Sequence, residues 1–206
     1  MENKQNSKPQ TQLPHRIEIE ETIFLSCDQQ SSFHKHIFSF DTIVGTAKQL
    51  IRTASLLGLP VLVTEQNPQK LGNLIIDLQK ELPQINSQVI QKMSLSMVND
   101  QTKQFLNKYP HRKTAILFGV EAHAAIQQTT LDLISLGYKV YLITDGISSQ
   151  RKIDRSTAFR RLENEGAILA TSESVIFELI RTAKHPQFKK ILNILKMDRV
   201  QAIAKL

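Results

Sequence analysis

The strongest signal for the fold of this chain is the stretch Ala115-Ile-Leu-Phe-Gly-Val-Glu-Ala-His-Ala-Ala-Ile-Gln-Gln-Thr-Thr130. It begins with an apolar run typical of a buried strand, crosses Gly119, which permits a sharp turn, and continues with apolar residues at helical spacing. A strand that leads through a tight turn into a helix presents backbone N–H groups that can hold an anion. Because ligands of open α/β sheets bind at such strand ends, the stretch predicts a functional turn.

Apolar runs typical of strands alternate with helical patterns along the rest of the chain. The predicted strands span residues 22–27, 60–64, 88–91, 114–118, 138–144 and 167–170. The predicted helices span residues 41–57, 73–82, 96–107, the segment after Gly119 to about 136, 154 or 156 to 162, 172–181 and 188–206. We expect Asp41 to cap the first helix and Ser94 or Ser96 to cap the third. With right-handed crossovers, this order predicts a parallel sheet of about six strands with helices on both faces.

Composition is that of an ordinary folded protein. The chain has 206 residues, of which 41% are hydrophobic and 22% charged. We expect a flexible N-terminal tail at residues 1–16 and a single domain at residues 17–206. The only cysteine, Cys27, excludes an intrachain disulfide. The net charge of +7 is spread along the chain without a nucleic-acid motif, so nucleic acid is not an expected partner, and peripheral contact with an acidic surface stays open.

The sequence contains neither a membrane span nor a secretory signal. No apolar run approaches the roughly 20 residues that a membrane span needs, and residues 1–14 lack the apolar core of a secretory signal. The scarcity of acids before Glu18 weakly favours a mitochondrial address. We therefore predict an intracellular protein, mitochondrial or cytoplasmic.

Polar residues stand at the ends of four predicted strands. They are Asp28, the run Glu65-Gln66-Asn67, Lys92 and the run Glu121-Ala-His123. All lie on one edge of a parallel sheet, where Asp28 and Lys92 could form a charged pair. Beside a nucleophile such a pair can move a proton, with the lysine stabilising the developing anion. The alternative is structural, since strand-end acids often cap helices and surface lysines are common.

These segments, taken together, resemble the isochorismatase-like cysteine hydrolase family, in its isochorismatase domain-containing branch. The matching motifs are Cys27-Asp-Gln-Gln30, Val63-Thr-Glu-Gln-Asn-Pro68, Lys92-Met-Ser-Leu-Ser-Met97 and Phe118-Gly-Val-Glu-Ala-His-Ala-Ala-Ile-Gln-Gln-Thr129. The resemblance implies a Rossmann-like three-layer α/β/α sandwich and an oligomeric protein. It also implies a cis peptide bond at Val120-Glu121.

The resemblance implies a catalytic triad of aspartate, lysine and cysteine. Asp28 and Lys92 match the first two residues, but the cysteine of the family motif falls on Ala125. Alanine cannot form a thioester, and Thr129, one helical turn further on, is a poor substitute for a thiolate. Cys27 adjoins Asp28 in the chain, and adjacent strand residues point to opposite faces, so we interpret it as a buried apolar residue.

The remaining predicted site residues are Glu65, Gln66, Glu121 and His123, which we expect to line a pocket around the triad positions. His123 is expected to shape the turn. Nicotinamidase relatives bind zinc near the second strand through an aspartate and two histidines, and the corresponding loop, residues 65–68, contains no histidine. No metal or other cofactor is therefore expected.

The leading interpretation is a catalytically inactive protein that acts as a structural or interaction subunit in a homo- or hetero-oligomeric assembly. The basic tail and the apolar stripe of the last helix offer docking surface, unless that helix packs on its own core. The alternative is a small-molecule hydrolase, acting on amides or related carbonyl compounds, in which Asp28 and Lys92 activate water directly. Binding of a metabolite without turnover is a third interpretation. Enzymatic activity thus stays open, with the pattern favouring its absence.

Overall fold

The computed structural model describes residues 16–203, and their side chains as far as residue 197. Six strands form one parallel sheet in the order β3-β2-β1-β4-β5-β6. Their bounds are Thr22–Cys27 (β1), Val61–Gln66 (β2), Ser87–Lys92 (β3), Thr114–Val120 (β4), Lys139–Ser148 (β5) and Ile168–Ala170 (β6). The helices are Phe40–Leu57 (α1), Pro68–Leu71 (α2), Ile76–Gln79 (α3), Asp100–Asn107 (α4), Gln127–Ser135 (α5), Lys152–Asn164 (α6), Ser172–Ile180 (α7) and Phe188–Ile203 (α8).

The helices cover both faces of the sheet, which confirms the predicted three-layer α/β/α fold. Helices α3, α7 and α8 pack around α1 on one face, while α5 and α6 pack together on the other. Every residue of β1 and β4 is buried. Strands that are covered by helices on both faces are apolar along their whole length. Because β1 and β4 are of this kind, the core lies around these two central strands.

The last helix packs on the domain itself. Helix α8 contacts α1, and its residues Ile191 and Leu195 are buried in the main core. As far as residue 197, the apolar stripe that the sequence offers as a docking surface thus packs against α1 and the core of its own domain. The predicted tail at residues 1–16 lies outside the described residues except for Arg16, as does the end of the last predicted helix beyond Ile203.

Four strands extend further than the apolar pattern predicts, and β3, at Ser87–Lys92, is longer by one residue at each end. Strand β2 continues through Glu65 and Gln66, and β5 continues to Ser148. Strand β4 includes Gly119, so this glycine lies inside the strand and the turn begins after it. Gly119 has φ of 122°, and a Cβ atom there would overlap the backbone of Cys27. The apolar pattern does not predict these extensions because the added residues are mostly polar residues or glycine.

The predicted helix caps Asp41, Ser94 and Ser96 are wrong. Asp41 lies in the first turn of α1, whose N-cap position is Ser39. Helix α4 begins only at Asp100, where the side chain of Asn99 accepts a hydrogen bond from the Thr102 backbone N–H. The hydroxyls of Ser94 and Ser96 instead bond within the preceding loop, which delays the helix.

Two other helices also differ from the prediction. Helix α6 begins at Lys152, before either predicted start. The helix predicted at residues 73–82 shortens to α3, and the short helix α2 was not predicted. Within residues 16–203, no helix combines the length and apolar character needed to cross a bilayer.

Candidate functional site

A buried ion pair joins the ends of β1 and β3. Lys92 Nζ lies 2.7 Å from Asp28 Oδ2, and the two side chains are 0% and 3% exposed. Strand β2 lies between them, and its alternation places Thr64 and Gln66 toward the same face as the pair. Thr64 Oγ1 donates to Asp28 Oδ1 at 2.7 Å, and Gln66 Oε1 accepts from Lys92 at 2.7 Å. The structure therefore brings together the two charged residues that strand order predicted to meet.

The ammonium group of Lys92 is surrounded by acceptors from its own chain. Besides Asp28 and Gln66 it contacts the backbone oxygens of Leu95 at 2.9 Å and Ser94 at 3.2 Å. An ammonium group has three hydrogens to donate. The loop after β3 and the two side chains therefore use all of them, and none is left for a bound substrate in this arrangement.

Asp28 is held as a buried acid in an uncommon backbone conformation. Its φ of 52° lies in the left-handed region, which aspartate tolerates better than most residues. Burial raises the pKa of Asp28 above its ordinary value, although the neighbouring Lys92 and the Thr64 hydroxyl act in the opposite direction. A raised pKa makes a carboxylate a stronger proton acceptor, as a general base requires.

The turn after β4 carries a methyl group at the position that the resemblance assigns to the nucleophile. Ala122–Ile126 form a single π-helical turn that leads into α5, and Ala125 is 5% exposed. Thr129 Oγ1 donates to the Ala125 carbonyl at 2.7 Å and accepts from the Met97 backbone N–H at 2.9 Å. Thr129 therefore links this turn to the loop that encloses Lys92, and both roles of its hydroxyl are taken.

Glu121, His123 and Ser149 join the start of the turn to the end of β5. The Val120-Glu121 peptide bond is cis, as the resemblance implies. Ser149 Oγ accepts from the Ala122 backbone N–H at 3.1 Å and lies 3.1 Å from His123 Nδ1. Glu121 Oε2 accepts from the Gln150 backbone N–H at 2.9 Å. These residues hold the backbone of the turn, and Ser149 was not among the predicted site residues, although it follows a predicted strand on the same edge.

Glu65 lies on the opposite face of β2 from the ion pair. Its Oε1 accepts from the Leu74 backbone N–H at 2.7 Å, and its Oε2 lies 3.5 Å from Gln91 Nε2. Because side chains alternate along a strand, the contacts of Thr64 and Gln66 with the pair direct Glu65 away from it. Of the two β2 residues predicted to line the pocket, the structure brings only Gln66 to the pair.

Cys27 is a fully buried free thiol, as expected. Burial raises the pKa of the Cys27 thiol well above its usual value, and the negative charge of Asp28 raises it further. Such a thiol does not ionise readily and makes a poor nucleophile. Among the described residues, no group of three or more His, Cys, Asp or Glu side chains is arranged to hold a metal ion.

These features place the chain in a class of α/β/α proteins that carry a polar site at the ends of their strands. The site here consists of the buried carboxylate–ammonium pair at the carboxyl edge of the parallel sheet and the strand-to-helix turn after β4. The isochorismatase domain model matches residues 22–174, and the chain belongs to the isochorismatase family. Isochorismatase domain-containing protein 1 of Salmo salar is 38% identical over 175 residues, which cover 85% of this chain and 61% of the salmon protein. The chain thus spans less than two thirds of that relative.

Two solved structures show how far the likeness extends. The MAR1 ribonuclease of Caenorhabditis elegans has a TM-score of 0.84 and 36% identity, over 88% of this chain and 93% of that one. YcaC of Escherichia coli, described as an octameric hydrolase of unknown specificity, has a TM-score of 0.78 and 20% identity, over 91% and 99% of the two chains. The second likeness concerns the fold alone.

Proposed function

We propose that this chain is a non-catalytic member of the isochorismatase family that acts as a structural or interaction subunit of a homo- or hetero-oligomeric assembly. The observation that carries the proposal is the methyl group of Ala125 in the turn between β4 and α5. A methyl group cannot attack a carbonyl carbon, and Cys27, the chain's only thiol, is buried with a raised pKa.

The hydrogen bonds of Lys92 support the same proposal. A lysine that stabilises a developing anion needs a hydrogen directed at the reacting atoms. Here four acceptors from the chain surround the Lys92 ammonium group. The pair with Asp28 is therefore arranged as a structural tie between β1 and β3.

The surface supports a role in assembly. Several large apolar side chains are more than half exposed: Ile76, Ile85, Met93, Leu95, Ile153 and Met197. Scattered apolar residues are ordinary on a protein surface, but three of these six, Ile85, Met93 and Leu95, flank β3 in the sequence. The octameric state given for YcaC shows that this fold accommodates assembly, and the family resemblance implies the same for this chain.

The direct test is a turnover assay with two cysteine variants. Ala125→Cys restores a thiol at the position assigned to the nucleophile, and Ala124→Cys places one at the neighbouring position as the matched control. We expect no turnover of an amide and ester panel by the native chain. We expect Ala125→Cys to gain turnover that Ala124→Cys lacks, because position 125 is where the family motif carries its nucleophile. Turnover by Ala124→Cys equal to that of Ala125→Cys would contradict the assignment of Ala125.

The second candidate is a hydrolase in which Asp28 acts as a general base on water, which its raised pKa favours. RNA belongs in the panel, because the C. elegans structure is described as a ribonuclease and this chain carries a net charge of +7. Saturable turnover by the native chain that disappears in Asp28→Asn would replace the first proposal with this one.

We also propose that the protein functions inside the cell, in mitochondria or the cytoplasm. The single cysteine and the acid-poor N-terminal residues support this. Imaging of a C-terminal fluorescent fusion, with a fusion lacking residues 1–14 as control, separates the two compartments. Secretion of the fusion would contradict both.

A further inference from the structure

The two edges of the sheet differ in how open they are. Strand β6, at one edge, has three residues, whereas β3, at the other, has six and pairs only with β2. Proteins usually protect a long edge strand with proline, a bulge or charged side chains, because its free backbone groups can pair with another chain. Strand β3 contains no proline, and its one charged residue, Lys92, is its last residue and is already buried against Asp28, so residues 87–91 carry no charge.

The hydrogen bonds at the two ends of the ladder show which β3 residues face outward. Val61 N–H donates to the Asn86 carbonyl and Asn67 N–H donates to the Lys92 carbonyl. In a parallel ladder, alternate residues direct their backbone groups to the same side. The even-numbered residues of β3 therefore face β2, and the backbone groups of Ser87, Val89 and Gln91 face away from the sheet.

The outward edge is uncharged and partly apolar. Residues 83–91 contain no charged side chain, although the whole chain carries a net charge of +7. Val89 is 41% exposed at the middle of β3, and Ile85 is 77% exposed just before it. Two copies of a basic protein approach each other with least repulsion along a surface without charge. The charge pattern thus favours a second copy of the chain over an acidic partner.

A cleft along β3 is lined by side-chain amides. It has a volume of about 770 Å³ and is lined by residues 88–91 of β3, by Gln79, Gln101 and Gln104 from α3 and α4, and by Glu65, Asn73 and Leu74. Glu65 is buried and bonded to the Leu74 backbone N–H, so the exposed polar groups of the cleft are mainly amides. Within residues 16–203 the structure gives no hydrogen bond to the side-chain amides of Gln79, Gln88, Gln101 or Gln104. Each amide both donates and accepts hydrogen bonds, so identical surfaces related by a two-fold axis can satisfy each other.

We propose that β3 is a self-association edge, through which two copies of the chain pair antiparallel about a two-fold axis at Val89. In this pairing Val89 lies opposite its own copy, and Ser87 lies opposite Gln91 of the second copy. The two six-stranded sheets become one continuous sheet, and the free backbone groups of β3 gain partners. The proposal rests on the assembly role proposed above and names the surface and the partner.

Disulfide trapping tests the register. In a backbone-bonded antiparallel pair the facing Cα atoms lie about 5.5 Å apart, within the range of about 4.4–6.8 Å that a disulfide spans. Under mild oxidation we expect Val89→Cys to run as a covalent dimer on a non-reducing gel. The native Cys27 is buried and should not interfere. Ile153→Cys, at a 62% exposed apolar position on α6, is the matched control and should remain monomeric.

A charged residue at position 89 tests the interface without a crosslinking reaction. In Val89→Lys, two ammonium groups would face each other across the axis, and we expect light scattering to give a twofold lower mass than for the native chain. Ile153→Lys should keep the native mass. A monomeric native chain overturns the proposal. An oligomeric native chain with no Val89→Cys dimer, or with unchanged mass in Val89→Lys, overturns the β3 edge while leaving the assembly proposal standing.

Discussion

The Asp28–Lys92 pair and the turn at Ala125 both lie at the carboxyl edge of the sheet, yet the pair is held by its own side chains and the turn is not held by the side chain of residue 125. Each member of the pair is buried and bonded to the other. The turn is held instead by backbone groups, the Ala125 carbonyl among them, and by Thr129, Ser149 and Glu121, with no contribution from the side chain of residue 125. A polar residue at 125 is therefore dispensable for folding, whereas neither charge of the pair can be lost alone.

The energetic reason lies in the cost of burying a charge. Removal of one partner from a buried ion pair leaves an uncompensated charge, which typically costs about 3–5 kcal/mol. A methyl group in place of a small polar one leaves nothing unpaired. A fold can thus keep a catalytic-looking pair after the chemistry beside it is gone, and the presence of such a pair says little about activity.

The largest expected effect comes from breaking the pair. We expect Lys92→Met to lower the free energy of unfolding by about 3–5 kcal/mol, because Asp28 remains buried without its partner. Adding Asp28→Asn to this variant should recover part of the loss. Urea denaturation measures both variants, with Lys70→Met, at an exposed lysine of α2, as the control. A loss below about 1 kcal/mol would mean that the pair is not the structural tie described above.

A smaller effect should come from the link between the turn and the loop around Lys92. We expect Thr129→Val to lower the free energy of unfolding by about 1–3 kcal/mol, because the buried Met97 N–H loses its acceptor. Thr130→Val is the matched control. Its hydroxyl is equally buried but bonds only to the Ile126 carbonyl, so it leaves no donor unpaired. Chemical denaturation measures both variants. Equal decreases in the free energy of unfolding would show that the bond from the Met97 N–H to Thr129 does not stabilise the fold.

The smallest effect should come from an ion pair on the surface, which sharpens the contrast with Asp28 and Lys92. Arg52 contacts Glu81 through two hydrogen bonds of 2.9 and 2.6 Å, and these lower the pKa of Glu81. Because the pKa is lower in the folded state, the stabilisation is present above the unfolded pKa and is lost as pH falls through the folded value. We expect Glu81→Gln to cost less than about 1 kcal/mol at pH 7.

Thermal unfolding across the acidic range checks the sign of this prediction. The native chain and Glu81→Gln should differ at neutral pH and converge as the pH falls below the ordinary glutamate pKa. Glu165→Gln, at an exposed residue, should track the native chain throughout. A difference that grows on acidification would contradict the direction of the shift.

Local pattern predicted the interior strands well and the strand ends poorly. Strand β1 has the predicted bounds because all six of its residues are buried between two helical layers, and burial on both faces demands a continuous apolar run. Strand β2 was ended too early because Glu65 and Gln66 are polar, although both belong to the ladder. Helix α4 was started too early because Ser94 resembles a cap but bonds to the Ser96 carbonyl within the loop.

The chemical groups that the site can contain follow from the amino-acid sequence alone. It has one thiol, at Cys27, and an alanine at the position matched to the family's nucleophile, and its strand order brings Asp28 and Lys92 to one edge. Three other features became visible only in the folded chain: the loop after β3 surrounds the Lys92 ammonium group, Glu65 faces away from the pair, and β3 lies at the edge of the sheet with β2 as its one neighbour. These features depend on the register between strands and on the path of a loop, which are set by contacts between residues far apart in the chain.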